Sequence, residues 1–375
     1  MAFRPLVRRF ALGAVVAVAA LAGSLAIPHD RYIRWQEMRS EAWARLGWIY
    51  ERVHFDETPI DIAFIGTSHS MNGIDGATVQ AALAAAGGGC RPVVNFGFPS
   101  YGRNLHWLIA RELLEHREVR TLVVEVFENE SRKAHPFFAN VAEVSDILAA
   151  PLLINLNFFT DIAKLPARQV MLGLKTLLPE RFGLHRKPDP ARYDGSDVDN
   201  TRQVQVGGVA LTPLRDRALP PGQLERSAAG TRSAKNTNML GARFEALEYR
   251  YPRYYLDRIL DLARQRGVTV KFLYLPSYAY ILGEPRDPSL YAGRGTMLTT
   301  GDLLADPGYW YDPDHLNLQG AAALSARLGG LLAEGPPGGA LRANEPAPCA
   351  PGKGPGKGPG KDLGKGPGVV ATRIQ

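Results

Sequence analysis

The chain has 375 residues, enough for one large domain or two ordinary ones, and its 45% hydrophobic and 22% charged residues exclude a disordered protein. The formal net charge is +7, but residues 335–375 hold six Lys or Arg against two acids, so the tail carries more than half of it. The remainder is only mildly basic, so we do not expect a nucleic-acid-binding groove.

Residues 1–29 carry the pattern of an export segment. An uncharged run rich in Ala, Val and Leu covers residues 10–28, and three arginines precede it: Arg4, Arg8 and Arg9. This order predicts a signal anchor whose positive end stays in the cytoplasm. Cleavage at Ser24-Leu25-Ala26 is the alternative. We therefore expect a single-pass protein of the cell inner membrane, with its main domain in the periplasm.

Apolar and aromatic residues then recur at helical spacing across residues 30–56 and predict an amphipathic stalk helix that leads away from the membrane. Its aromatic side chains are expected to pack in a core rather than to form an interfacial belt.

Residues 57–333 show the alternation of strands and helices that is typical of α/β domains. Apolar runs predict buried strands at residues 60–65, 92–97, 121–127 and 268–275. Helical patterns lie at residues 77–86, 104–116, 244–266 and 318–332. Continuous apolar strands indicate a mostly parallel sheet covered on both faces. The expected fold is a three-layer α/β/α sandwich with about five strands.

Two segments depart from this alternation. Residues 131–240 combine helical pieces with a long stretch rich in Pro, Gly, Arg and Asp, which predicts an inserted cap because loops of that length are uncommon in compact domains. Residues 334–375 repeat Gly, Pro and Lys and predict a disordered tail.

The two cysteines, Cys90 and Cys349, do not suggest a structural disulfide, since a bond between them would tie the domain to the tail. No group of Cys and His has the ligand spacing of a zinc site. We therefore expect neither a metal nor a cofactor.

The first chemical signal is Gly66-Thr67-Ser68-His69-Ser70, directly after the first predicted strand. A serine at a strand-to-helix turn lies near free backbone N–H groups, as an attacking hydroxyl and a developing oxyanion require. A Thr-Ser pair in this position is equally typical of a helix N-cap.

The second signal precedes the last predicted helix, where Asp312 stands three residues before His315. An Asp in this position can orient the imidazole and stabilise the imidazolium that forms when His takes a serine proton. Asp314 is an alternative partner, but we prefer Asp312 because adjacent side chains point in different directions.

Together these motifs resemble the SGNH (GDSL-like) hydrolase superfamily, whose fold is flavodoxin-like, over about residues 58–130 and 240–333. The membrane-anchored branch with the alginate O-acetylation proteins and the D-alanyl-lipoteichoic acid protein is especially similar. The matching pieces are Gly66-Thr67-Ser68-His69-Ser70 with Gly73-Ile74-Asp75, and Asp312-x-x-His315-Leu316-Asn317 with Gly320. The resemblance implies that Ser68 is the nucleophile, His315 the base and Asp312 its orienting partner.

The resemblance also implies an oxyanion hole. Gly97 occupies the glycine position after the second strand, and Asn129 is the residue nearest to the family's Gly-x-Asn-Asp block. That glycine is missing here, and Thr67 stands where the usual family motif has Asp, so the match is incomplete.

The resemblance implies acyl transfer through an acyl-Ser68 intermediate, with an acylated cell-envelope polysaccharide or exopolysaccharide, or another acyl donor, as substrate. A multi-pass membrane O-acyltransferase is the implied partner. Two alternatives stay open from the sequence: a simple esterase or deacetylase that uses water, and a non-catalytic polysaccharide-binding protein with a degraded site.

Overall fold

The structure is a computed structural model that describes residues 3–38, 45–130, 132–188, 205–206, 209–210, 217–233 and 240–334. The predicted tail lies outside these residues from position 335 onward, as do parts of the predicted cap.

A five-stranded parallel sheet forms the centre of the fold, in the strand order β2-β1-β3-β6-β7. A separate antiparallel pair joins β4 and β5. The strands are β1 (Ile62–Ile65), β2 (Val93–Asn95), β3 (Thr121–Val126), β4 (Gln205–Val206), β5 (Val209–Ala210), β6 (Thr269–Tyr274) and β7 (Thr296–Thr299). The prediction of an α/β protein built on a parallel sheet is therefore confirmed.

Helices flank these strands throughout the described residues. In chain order they are α1 (Phe3–Ser24), α2 (Arg31–Trp35), α3 (Arg45–His54), α4 (Ser68–Gly73), α5 (Gly76–Ala85), α6 (Arg103–His116), α7 (Phe138–Val141), α8 (Val144–Leu148), α9 (Phe158–Leu177), α10 (Pro221–Ser233), α11 (Glu245–Glu248), α12 (Arg250–Gln265), α13 (Gly301–Leu304) and α14 (Leu318–Ala333). Short 3₁₀ helices lie at Pro179–Phe182, Ala242–Phe244, Tyr278–Tyr280, Pro288–Leu290 and Pro307–Tyr309.

The strands bury side chains on both faces of the sheet, because successive residues of a strand point in opposite directions. In β1, Ala63 and Ile65 join one apolar cluster with α3, α6 and α12, whereas Ile62 and Phe64 join a second cluster with α5, α10 and α14. The sheet thus has a core on each side, which is consistent with three layers.

The segment predicted as one stalk helix forms two helices instead. Helix α2 ends at Trp35, α3 covers Arg45–His54, and residues 39–44 lie outside the described part. The helix is interrupted after Trp35, since residues 36–38 are not helical. Aromatic residues of both helices, including Tyr32, Trp35 and Trp48, are buried in the core. The burial of these side chains is what the sequence analysis expected.

Helix α1 corresponds to the predicted anchor, and its end contacts α9. Among the helices that the structure describes, none combines the length with the hydrophobicity that crossing a bilayer requires.

Cys349 lies outside the described residues, so the expectation that Cys90 and Cys349 form no structural disulfide stays a prediction.

Candidate functional site

The turn after β1 places Ser68 at the carboxyl edge of the sheet, as the first residue of α4. Thr67 is the N-cap, and its hydroxyl oxygen accepts a hydrogen bond from the His69 N–H at 3.2 Å. Gly66 has to lack a side chain, because a Cβ there would lie 2.2 Å from a carboxyl oxygen of Glu125. The turn is therefore packed tightly against β3.

Glu125, at the end of β3 and 1% exposed, holds this turn in place. Its carboxyl accepts hydrogen bonds from the Thr67 N–H at 2.8 Å and from the Ser70 N–H at 3.1 Å. The hydroxyls of Thr67 and Ser70 donate to the same carboxyl. Neither sequence motif contains Glu125, although an acid inside an apolar strand is a signal that could have found it.

Ser68, His315 and Asp312 form one hydrogen-bonded chain. The distance from Ser68 Oγ to His315 Nε2 is 2.8 Å, and His315 Nδ1 lies 3.0 Å from Asp312 Oδ2. The serine is partly exposed, so its hydroxyl is within reach of a molecule in solution. Residues separated by 247 positions thus meet as the sequence motifs predicted.

Asp312 is the carboxyl that contacts the imidazole, and Asp314 is not. The backbone N–H groups of Asp314 and His315 both donate to Asp312 Oδ1 at 2.7 Å. Burial disfavours the charge of Asp312, but the hydrogen bond and charge of His315, together with these two amides, outweigh it and lower the pKa of Asp312. This carboxyl is therefore suited to orient the ring as an anion.

The loop that carries Asp312 and His315 is held by contacts among its own residues before α14 begins. Trp310 and Leu316 form an antiparallel bridge, and the Tyr311 N–H donates to the His315 carbonyl at 3.2 Å. Asn317 caps α14 by accepting from the Gly320 N–H at 2.8 Å. These contacts fix the direction of the imidazole toward Ser68.

His69 lies beside Ser68 and His315, but its two ring nitrogens contact other residues. It is buried; its Nδ1 lies 2.9 Å from the Leu275 carbonyl, and its Nε2 lies 3.5 Å from the Tyr101 hydroxyl. Its ring is edge-on to that of His315, at 5.5 Å between centroids. Burial and the nearby acids, Glu128 first among them, raise the pKa of Tyr101. The sequence motifs gave no indication of Tyr101, which comes from a loop distant from both of them.

An oxyanion donor needs an unengaged backbone N–H, and Gly97 does not offer one. Its N–H donates to Asn95 Oδ1 at 2.8 Å, and a Cβ on it would lie 2.6 Å from the backbone nitrogen of Met71. The oxyanion role implied for Gly97 is therefore unsupported, because its N–H is already engaged and its small size is explained by packing against α4.

Asn129 lines a cavity of about 310 Å³. Its lining consists of Tyr101, Phe127, Glu128, Asn129, Glu130, Arg132, Lys133, Ile154, Leu156 and Tyr249, and does not include Ser68, Asp312 or His315. Tyr101 is the lining residue that also contacts His69, which follows Ser68 in the chain. Aromatic rings and polar side chains thus share the lining of this cavity.

A group of possible metal ligands lies apart from these residues, although no metal was expected. The ligand atoms of His54, Glu112 and His116 lie within 4.8 Å of one another. The Arg31 guanidinium already donates to both oxygens of Glu112, so a positive charge is in place there. The sequence does not suggest this group because its members come from two helices, α3 and α6.

The chain is therefore an α/β protein that carries a hydrogen-bonded Ser–His–Asp chain at the carboxyl edge of a parallel sheet. No family model matches the sequence, and a comparison with curated proteins finds no similar one.

Proposed function

We propose that this protein is a serine-dependent acyltransferase or esterase of the SGNH type, which acts through an acyl-Ser68 intermediate. The observation that supports it is the 2.8 Å contact between Ser68 Oγ and His315 Nε2, with Asp312 on the far side of the ring. This arrangement matches the roles of nucleophile, base and orienting acid in acyl transfer.

In the first step Ser68 Oγ bonds to the acyl carbon of the donor ester, and its proton moves to His315 Nε2. The donor's alcohol then leaves and takes that proton, so that acyl-Ser68 remains. An acceptor hydroxyl, from a sugar or from water, next gives its proton to His315 and attacks the acyl carbon. Ser68 leaves as the alcohol and recovers its proton from His315.

The negative charge on the carbonyl oxygen requires hydrogen-bond donors. The N–H groups of Thr67, His69 and Ser70 donate to side chains, whereas that of Ser68 donates to none of the described residues. We assign the Ser68 N–H as one oxyanion donor and keep the predicted Asn129 amide as the second.

The lining of the cavity that contains Asn129 supports a sugar-bearing acceptor. Tyr101, Phe127 and Tyr249 offer rings on which a pyranose can stack, and Glu128 and Asn129 offer hydrogen-bonding groups. The proposed substrate is therefore a hydroxyl-rich cell-envelope polysaccharide or exopolysaccharide. The order of arginines and apolar residues at the N-terminus supports a location at the inner membrane with this domain in the periplasm. A multi-pass membrane O-acyltransferase as donor partner rests on the family resemblance alone.

Turnover of p-nitrophenyl acetate by the protein tests the nucleophile. Ser68→Ala is expected to lower the rate by roughly a thousandfold or more, because the attacking oxygen is lost. Ser227→Ala, on the exposed side of α10, serves as the matched control and should keep the wild-type rate. Mass spectrometry should detect an acetylated peptide containing Ser68 in the wild type. Equal rates for wild type and Ser68→Ala would remove Ser68 from the mechanism.

The same reaction separates transfer from hydrolysis when a soluble polysaccharide is added. Acetyl groups on the polysaccharide indicate a transferase, and free acetate alone indicates an esterase.

A further inference from the structure

Helix α9 is apolar on the side that faces solvent as well as on the side that faces the domain. Its buried residues include Leu165 and Leu172. Its exposed residues are Phe159, Thr160, Ala163, Lys164, Ala167, Val170, Met171, Leu174 and Leu177. The exposed side of a surface helix is normally polar, so the seven apolar residues among these nine exposed ones indicate a second apolar environment.

The exposed apolar residues recur at spacings of three and four from Phe159 to Leu177, a stripe about 27 Å long at 1.5 Å per residue. Leu156 and Leu178 extend it, and Leu156 is 71% exposed. We call the set Leu156, Phe159, Val170, Met171, Leu174, Leu177 and Leu178 the apolar face. Soluble proteins rarely expose a contiguous apolar surface of this extent unless it binds something.

The chain leaves α1 directly beside this helix. Gln169 donates to the Leu25 carbonyl at 3.4 Å, and Thr176 accepts from the Asp30 N–H at 2.9 Å. Gly173 packs so closely on Ile27 that a Cβ would lie 2.8 Å from it. Helix α1 is itself uncovered, with Leu12, Val15, Val16, Val18 and Leu21 all more than half exposed. Two uncovered apolar surfaces therefore begin at one place in the molecule.

The segment after α9 adds a positive charge. Among the described residues 178–188, Arg181, Arg186 and Lys187 are exposed, against a single acid, Glu180. Basic side chains next to an apolar helix face complement the phosphates of anionic lipids. A protein partner would cover the apolar face alone. A bilayer would cover both the apolar face and helix α1 beside it, and its phosphates would pair with the basic side chains.

We propose that the apolar face of α9 lies at the headgroup–acyl boundary of a phospholipid bilayer containing anionic lipid, beside the end of α1. The same segment contributes Ile154 and Leu156 to the cavity that Asn129 lines. Docking of α9 therefore holds that cavity next to the lipid surface. This inference does not depend on the chemistry of Ser68.

The test uses the full chain reconstituted in vesicles of phosphatidylethanolamine with a minor share of phosphatidylglycerol. A polarity-sensitive fluorophore is attached at Leu174→Cys or, independently, at Leu177→Cys. Arg327→Cys on α14, on the opposite side of the sheet, is the matched control, and the unsubstituted protein reports labelling of the native cysteines. We expect nitroxide-bearing acyl chains to quench the label at 174 and 177 several-fold more than the label at 327.

Water-like emission at 174 and 177, with the same weak lipid quenching as at 327, would overturn the proposal. A blue-shifted label that lipid does not quench would overturn it as well, because it would mean that protein, such as a second copy of the chain, covers the face. Circular dichroism of each labelled variant checks that the fold is intact. Because no turnover is measured, either result leaves the Ser68 experiment unaffected.

Discussion

Glu125 is the one charged residue of β3, near the end of that strand, and it is 1% exposed. Four groups of the nucleophile turn donate to its carboxyl: the backbone N–H and hydroxyl of Thr67, and the same two groups of Ser70. Buried N–H groups are costly when unpaired, so this one side chain determines whether the turn that carries Ser68 keeps its shape.

Replacing Glu125 tests this role. Glu125→Leu leaves two buried N–H groups without acceptors and should lower the free energy of unfolding by roughly 2–6 kcal/mol. Glu125→Gln keeps one acceptor oxygen and should cost less, about 1–3 kcal/mol. Urea unfolding measures both, with the exposed Glu115→Gln on α6 as a control that should change little. A Leu variant as stable as the wild type would contradict the role assigned to Glu125.

At the scale of elements, α14 packs against α5 through a glycine. A Cβ on Gly329 would lie 2.5 Å from Ala82 Cβ and 2.6 Å from the backbone nitrogen of Leu83, whereas a Cβ on Gly330 would meet nothing within 4 Å. Two adjacent glycines of one helix therefore differ only in what they face.

This pair gives a matched experiment. Gly329→Ala should lower the free energy of unfolding by about 1–3 kcal/mol, since α14 must move away from α5. Gly330→Ala should raise it by roughly 0.5–1 kcal/mol, because alanine is the better helix former. Thermal unfolding followed by circular dichroism compares the two variants. Equal shifts in the two would mean that α5 and α14 are not in close contact.

The strands and helices also show which elements the sequence patterns predict and which they miss. The strands β1, β2, β3 and β6 were predicted, because buried parallel strands are continuous apolar runs. Strand β7 (Thr296–Thr299) was missed, since two of its four residues are threonines and it is not a continuous apolar run. The helical spacing predicted in residues 30–56 corresponds to helices α2 and α3. Periodicity does not reveal, however, that the helix is interrupted after Trp35 or that both helices pack on the core.

For the molecule as a whole, one buried ion pair joins distant segments. Arg103 on α6 donates from Nε to both oxygens of Glu130, at 3.1 and 2.9 Å, and from Nη2 to the Glu125 carbonyl at 2.7 Å. The Tyr291 hydroxyl donates to Glu130 as well. Segments on both sides of the long insertion are thus held together beneath the nucleophile turn.

A double-mutant cycle measures this connection. The single variants Arg103→Met and Glu130→Leu each leave one buried charge unpaired, and each should cost about 3–5 kcal/mol of unfolding free energy. The double variant Arg103→Met with Glu130→Leu should cost clearly less than the sum of the two single changes, because no unpaired charge is left. Strictly additive costs would show that the two side chains do not stabilise each other.

The apolar runs that predict the parallel α/β architecture, and the two motifs that contain Ser68, Asp312 and His315, each lie in consecutive residues, so they can be read from the sequence. The tertiary structure added that Asp312, rather than the alternative Asp314, contacts the imidazole, and that the N–H of Gly97 is engaged by Asn95. The roles of Glu125, Tyr101 and the apolar face of α9 likewise became evident from the tertiary structure. Their roles depend on contacts between segments far apart in the chain, and no periodicity or motif in a sequence specifies such contacts.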